Sequence, residues 1–305
     1  MLKKFVKKQQ YKYVSRNRRI QDVLIYATNR CNSKCNHCHI WKQQPKIDLS
    51  LSIFEGILDA RVTNGMLYKT RYGLEGGEFL LHPKYKKILE LFNNNSKEYF
   101  VISNCILADK LIRTVKEFDI QEVCVSMDGD RDGYKKVRCI DNWENVDRVV
   151  QELKGNVNLS IFFAATPWNT QKDYGFVKEY ARRNGLVLGV SIYQPFRLFD
   201  VKEKPISFDF TKEESPYLRH YHEWFNGKFS IPCISPTMRI TVNPNGDIPL
   251  CCKKDIILGN LYANSLDYIW NSEITKKLHR EIRGCNSCWM SCHRAMDIFF
   301  RDAIA

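Results

Sequence analysis

The sequence predicts an α/β protein in which a parallel sheet with outer helices is followed by a small cysteine-rich domain. Three observations carry this reading. Between residues 21 and 195, short strand signals alternate six times with amphipathic helix signals. The strands are apolar and rich in β-branched residues, as in a parallel sheet covered by crossover helices. From Ile231 the composition changes, and six of the twelve cysteines fall in the last 75 residues. Six strand–helix units are fewer than the eight that close a barrel.

The first strand is Val23–Ala27. Asp48–Arg61 spaces Leu51, Phe54, Ile57 and Leu58 on one helical face, with Asp48 or Ser50 as its cap. Tyr72–Leu74 is a short second strand closed by Glu75-Gly76-Gly77-Glu78. Pro83 suits the opening of a helix through Leu91. Tyr99–Ser103 is the third strand, Asp109–Phe118 a helix, and Glu122–Met127 the fourth strand, ending in Asp128-Gly129. Asn142–Leu153 is helical, Val157–Ala165 the fifth strand, and Thr170–Arg183 a helix with Gly185 at its expected C-cap. Leu186–Tyr193 is the sixth strand. Residues 1–20 read as a basic tail, 21–195 as the first domain, and 196–230 as a connecting segment with a short helix at Tyr217–Phe225. Residues 231–305 form the second domain, ending in a helix. There Thr237–Val242 and Asp247–Leu250 read as a β-hairpin around Asn243-Pro244-Asn245-Gly246.

Composition narrows the class. An apolar fraction of 44% is ordinary for a globular chain. No apolar run approaches the roughly 18 residues of a spanning helix, and no secretory signal precedes the fold, so a cytoplasmic protein is expected. Twelve cysteines in such a compartment argue for metal rather than disulfides. The net charge is +13, and residues 1–20 hold eight Lys or Arg and no acid. This charge suits an anionic partner or substrate, but a merely solvated basic tail is the preferred reading. Nucleic acid is not expected, because no nucleic-acid module accompanies the charge.

Cys31-Asn32-Ser33-Lys34-Cys35-Asn36-His37-Cys38 leaves the end of the first strand, where parallel α/β folds place their sites. Three thiolates from one loop fill three corners of a cuboidal iron–sulfur cluster and leave one iron without a protein ligand. A zinc site wants a fourth ligand nearby, and neither His37 nor His39 has the usual spacing. The loop resembles the C-x3-C-x2-C signature of the radical S-adenosylmethionine enzymes, whose fold is a partial (β/α)6 barrel. The resemblance implies a 4Fe-4S cluster on Cys31, Cys35 and Cys38 whose open iron binds S-adenosyl-L-methionine. It also implies reductive cleavage to a 5′-deoxyadenosyl radical that takes a hydrogen atom from substrate. His37 stands where relatives carry an aromatic-type residue. Gly76-Gly77-Glu78 resembles the family's GGE motif, which binds the amino group of S-adenosylmethionine. Ser126-Met127-Asp128-Gly129 resembles S-x-D-G, with Ser126 as the nucleoside contact. Arg138 is similar to the arginine that meets the carboxylate, and Asn104 to a ribose contact.

The C-terminal cysteines resemble SPASM/twitch extensions that hold auxiliary iron–sulfur clusters. Gly246 to Cys251 fits G-x4-C, Leu258-Gly259-Asn260 follows, and Cys285-x2-Cys288-x3-Cys292 closes the set. The resemblance implies one auxiliary 4Fe-4S cluster on Cys233, Cys251, Cys285 and Cys288. Cys292 is the alternative fourth ligand, and Cys252 the alternative to Cys251. Cys124 reads as core. Cys105 and Cys139 stand where relatives carry glycine; each is either a filler of a tight turn or a hydrogen-atom donor. A flavodoxin or ferredoxin reductant is the family expectation. The substrate classes implied are carbohydrates, nucleotides and peptides, with oxidation, epimerisation or bond formation as the outcome. Trp168, Tyr193, Phe196 and Trp224 are candidates for a pocket wall or for core. The rival reading is a non-catalytic zinc protein that binds an anionic partner.

Overall fold

A computed structural model describes residues 2–64 and 69–304. Residues read as a basic tail form a helix, α1 (Leu2–Asn17). Then follow β1 (Asp22–Tyr26), α2 (Leu51–Asp59), β2 (Arg71–Glu75), α3 (Tyr85–Asn94), β3 (Tyr99–Ser103), α4 (Ala108–Glu117) and β4 (Glu122–Ser126). Next come α5 (Arg131–Arg138), α6 (Trp143–Leu153), β5 (Asn158–Ala165), α7 (Gln171–Arg183) and β6 (Val187–Ile192). The connecting segment holds α8 (Pro216–Arg219) and α9 (Tyr221–Phe225). The C-terminal region holds β7 (Arg239–Val242), β8 (Asp247–Pro249), β9 (Ile257–Asn260), α10 (Leu266–Asn271), α11 (Glu273–Glu281) and α12 (Ser291–Ile304).

Seven strands form one parallel sheet in the order β6-β5-β4-β3-β2-β1-β7. The sheet curls into the expected partial barrel with its helices outside. Side chains alternate across it. Val23, Ile25, Tyr72 and Leu74 are buried against the outer helices, where α2 contributes Ile53, Phe54, Ile57 and Leu58. Each such side chain contributes roughly 1.5–3 kcal/mol. α7 begins with a capping box in which Thr170 and Asp173 exchange hydrogen bonds, a device of about 1 kcal/mol.

The inward-facing residues line a cavity of about 620 Å³. Its floor is charged but paired. Arg71 bonds Glu122 and lies 4.3 Å over the Phe100 ring, and Arg239 lies 3.8 Å from Asp22. Gly73 makes room for this floor, because a Cβ there would sit 2.6 Å from Phe100 Cζ.

Besides α5, a helix the spacing does not reveal, two elements differ from the sequence reading. β7 does not pair with β8 in a hairpin; it extends the main sheet, parallel to β1, and β8 pairs antiparallel with β9. The open edge of β1 offers unsatisfied N–H and C=O groups that a parallel neighbour fills. The Asn243–Gly246 turn then sends the chain off that sheet, closed by Gly246 N–H to Asn243 O at 2.9 Å. Second, α1 is held by α12: Tyr11 and Phe300 are 5.8 Å apart, and Lys7 lies 4.1 Å from the centre of the Phe299 ring. Its mixed basic and aromatic sequence carries no clear apolar stripe, so the helix was not legible locally. No helix among the described residues is long and apolar enough to cross a membrane.

Candidate active site

The cysteine loop leaves β1 between two anchors. Thr28 Oγ1 and Arg30 Nε donate to Asp48 at 2.7 and 3.0 Å. On the other side, Gly77 N–H bonds Thr28 O at 2.7 Å and Glu78 N–H bonds Arg30 O at 2.8 Å. A Cβ on Gly77 would lie 2.1 Å from Arg30 O. This glycine therefore docks the end of β2 against the cysteine loop itself. Further along, Asn36 N–H and Asn36 Nδ2 donate to Val137 O and Lys136 O, both at 2.9 Å, seating the loop on the last turn of α5.

The thiols sit in a donor-rich, dry setting. Ser33 N–H donates to Cys31 Sγ at 3.4 Å, and Ser33 Oγ lies 3.1 Å from Cys35 Sγ. Burial pushes Cys31 up to about 12 and raises Cys35 and Cys38 as well. Such thiols give up their protons when a cation takes the place of the charge. Three thiols on one loop, with an amide and a hydroxyl facing the sulfurs, fit a cluster held at three corners.

Around the loop stand the other expected residues. The buried Glu78 carboxylate accepts from Ser103 Oγ at 3.0 Å and Asn104 N–H at 2.9 Å. Burial raises its pKa to about 7, with the Asn104, Ser103 and Leu80 hydrogen bonds opposing. Asn104 Nδ2 donates to Asn32 Oδ1 at 2.9 Å and lies 3.9 Å from Cys31 Sγ. Arg138 Nε donates to Asp128 Oδ2 at 2.6 Å, and Asp128 Oδ1 accepts from Ala164 N–H at 2.8 Å. Burial works against the Arg138 charge, but Asp128 and Cys35 outweigh it and hold the guanidinium protonated. His37 lies on the cavity wall; burial lowers it to about 4, and its Nδ1 has no partner among the described residues. Gly76 precedes Gly77 in the same docked turn, and Ser126 ends β4, facing inward.

Other residues fall elsewhere. Cys105 is fully buried in the helix-side core. Cys139 is exposed, in a left-handed turn after α5. Neither lines the cavity, whereas Cys124 does, with Ser160 Oγ 3.1 Å from its sulfur. Tyr193 and Phe196 line the cavity, Trp168 packs edge-on to Tyr193 at 5.6 Å, and Trp224 stacks on Trp289. Sequence reasoning missed Asp128 as the partner of Arg138, and it missed the inward charges. Asp22, Arg71, Glu122 and Arg239 each open an otherwise apolar strand, which was the available signal. Glu75, at the end of β2, also faces the cavity; burial raises it to about 8, with Arg239 opposing.

The C-terminal cysteines gather at the cavity's other side. Cys233 packs with Leu250, Ile282 and Cys285, and Cys251 Sγ accepts from Lys254 N–H at 3.3 Å. Cys252 and Cys288 share an apolar cluster with Tyr26 and Phe196, bordered by Cys31, Cys38 and Cys292. The two cysteine groups are thus bridged by packed side chains. A fully buried Arg294–Asp297 pair holds the backbone: Arg294 donates to Cys288 O at 2.9 Å and Cys285 O at 3.1 Å. Asp297 Oδ1 accepts from Ile234 and Ser235 N–H at 3.0 and 2.9 Å. Cys233, Cys251, Cys252 and Cys288 are buried here and Cys285 and Cys292 half-buried, a thiol set of the kind that metal ligation uses.

Comparison with known proteins agrees with this geometry. A profile of the radical SAM superfamily matches residues 25–172, and one of the iron–sulfur cluster-binding SPASM domain matches residues 233–292. A probable GTP 3′,8-cyclase of Methanococcus aeolicus is 28% identical over 210 residues, 65% of this chain and 67% of that protein. The subtilosin biosynthesis protein AlbA of Bacillus subtilis is 24% identical over 284 residues, 82% of this chain and 59% of its own length. This chain thus spans about three-fifths of AlbA. Among solved structures, Streptococcus suis SuiB bound to S-adenosylmethionine superposes with a TM-score of 0.64 at 13% identity, covering 89% of this chain and 70% of SuiB. Native anSMEcpe with bound AdoMet gives 0.62 at 16%, covering 93% and 97%. At these identities the likeness is one of fold.

Proposed function

Because this chain belongs to the radical SAM superfamily and carries an iron–sulfur SPASM region, we propose that it modifies a peptide or another substrate without a polyphosphate. The observation that carries the substrate class is the charge inside the cavity. Arg71 and Arg239 are each matched to an acid on the floor, Glu122 and Asp22. The Glu75 carboxyl also faces the cavity, and Arg239, already paired with Asp22, is its nearest cationic influence. A triphosphate wants free cations at its binding site. The wall offers instead a carboxyl that an incoming ammonium or guanidinium would draw into its charged form, or that a hydroxyl would bond. AlbA and SuiB, by their names a bacteriocin biosynthesis protein and a protein that binds the precursor peptide SuiA, support the peptide reading.

When bound, the cluster and S-adenosylmethionine supply one-electron cleavage and hydrogen-atom abstraction. This chain's residues do the holding. Cys31, Cys35 and Cys38 ligate the cluster. Glu78 would hold the ammonium of the cofactor's amino-acid end, and Arg138, steadied by Asp128, would hold its carboxylate. Asn104, Ser126 and His37 would contact the nucleoside. Phe100, Ile102, Phe162, Phe196 and Met290 give the cavity an apolar wall above its charged floor, against which the non-polar part of a substrate would pack. Cys233, Cys251, Cys285 and Cys288 hold an auxiliary cluster. The zinc-protein reading is set aside, because it accounts for neither the sheet nor the docked Gly77–Glu78 turn.

The test is anaerobic reconstitution of wild type and a Cys31/Cys35/Cys38→Ala variant, with iron, sulfide and 5′-deoxyadenosine measured. About four irons should be lost with all 5′-deoxyadenosine release. Lysine-containing peptides should raise that release more than GTP does. Turnover of GTP to a cyclised product would refute the substrate class.

A further inference from the structure

Cys252 Sγ and Cys292 Sγ lie 3.8 Å apart, and a ring nitrogen of His293 joins them with all three donors within 4.8 Å. This is the one such group among the described residues. Two thiolates on one tetrahedral ion, each at about 2.3 Å, are separated by roughly 3.8 Å. Thiolates on different corners of a cuboidal cluster stand much farther apart. The pair therefore has the spacing of a shared metal ion.

His293 supplies the second, independent sign. It is 4% exposed, its Nδ1 has no partner among the described residues, and its other contacts are with the two cysteines themselves: Cys252 N–H donates to Nε2 at 3.5 Å, and the ring bonds the Cys292 thiol. A buried imidazole left this way costs about 1–3 kcal/mol unless something uses its nitrogen. The backbone is fixed around it: Ser235 Oγ donates to His293 O at 2.5 Å, within reach of the buried Arg294–Asp297 pair. Cys292 also borders the cavity.

We infer that Cys252, Cys292 and His293 bind a single tetrahedral metal ion, Zn²⁺ or Fe²⁺, at the cavity wall, separate from the auxiliary cluster. Three protein donors leave the fourth position to water or to a donor atom of a molecule in the cavity. The inference rests on the proposed reading only in leaving Cys233, Cys251, Cys285 and Cys288 to the cluster.

The experiment uses the full chain, purified and reconstituted anaerobically, with zinc, iron and sulfide counted for wild type, His293→Gln, His293→Cys and Cys252→Ser. The expected result is one ion per chain beyond the cluster iron, read as zinc or as iron without matching sulfide. His293→Gln and Cys252→Ser should lose that ion and keep cluster iron and sulfide, while His293→Cys retains it. Cobalt loaded in its place should show thiolate charge-transfer and tetrahedral ligand-field bands in wild type and His293→Cys only. Loss of about four irons and four sulfides together in Cys252→Ser would overturn the inference, as would an unchanged metal count in a folded His293→Gln protein. If the chain never holds cluster iron but keeps the single ion, the enzymatic reading fails and this site stands.

Discussion

Asp128→Asn tests the site at its most buried point. Asp128 is fully buried, and the Arg138 side chain is 9% exposed. The substitution preserves shape and an acceptor for Ala164 N–H while removing the charge that faces Arg138. Leaving a buried guanidinium without its counter-ion costs about 3–5 kcal/mol. Unfolding entropy near 2.1 cal/mol/K per residue gives roughly 0.6 kcal/mol/K for this length, so the melting temperature should fall by about 5–8 °C. Calorimetry of the anaerobic apo chain reads this directly. A second substitution, Arg138→Met, should restore part of the loss, since an apolar pair tolerates burial better than one charge. S-adenosylmethionine binding should weaken in Asp128→Asn and stay weak in the double variant. Melting within about 1 °C of wild type, or no recovery in the double variant, would refute the claim that this pair is a desolvated clamp.

Glu75 gives a pH dependence. Its carboxyl is raised from the ordinary 4.5 to about 8, so the folded state holds its proton more tightly than the unfolded state does. That contribution is complete below about pH 4.5 and is lost as pH rises toward 8. Denaturant unfolding of the apo chain should therefore lose a few kcal/mol, roughly, over that window, and Glu75→Gln should flatten the profile. Gly77→Ala forces a Cβ against Arg30 O and should cost about 3 kcal/mol or more, with reconstituted iron lost from the cysteine-loop cluster. Equal iron in that variant would contradict the docking role. Cys139 has φ 55°, so Cys139→Gly should stabilise the chain by about 0.5–1 kcal/mol. Because Cys105 is sealed in the core, Cys105→Ala should leave product and its stereochemistry unchanged; altered stereochemistry would restore it as a donor.

The alternation of strands and helices was legible because each strand buries one face against helices and each helix carries an apolar face. The cysteine loop and Gly76-Gly77-Glu78 were legible because their chemistry is local in sequence. What was not legible depends on pairing across distance. Nothing near Arg239 says that its strand will join β1 rather than fold back on β8. Asp128 looked like a turn residue because its partner lies ten positions on, at the end of a helix the spacing did not reveal. Cys252 lies forty positions before Cys292, and only the fold brings it to the adjacent Cys292 and His293.

The register of Asp22 with Arg239 has a consequence for how this chain is made. β1 leaves a ribosome well before its second neighbour, β7, which lies far later in the sequence. Until β7 emerges, β1 holds one bare edge, and the cysteine loop hangs from a strand framed on a single side. Synthesis that stops before β7 should yield a sheet with a sticky, apolar margin, prone to pairing with another chain. Iron loaded onto the nascent chain would meet a half-built cradle, so the proposed metal capture at Cys31, Cys35 and Cys38 should await the joining of β7.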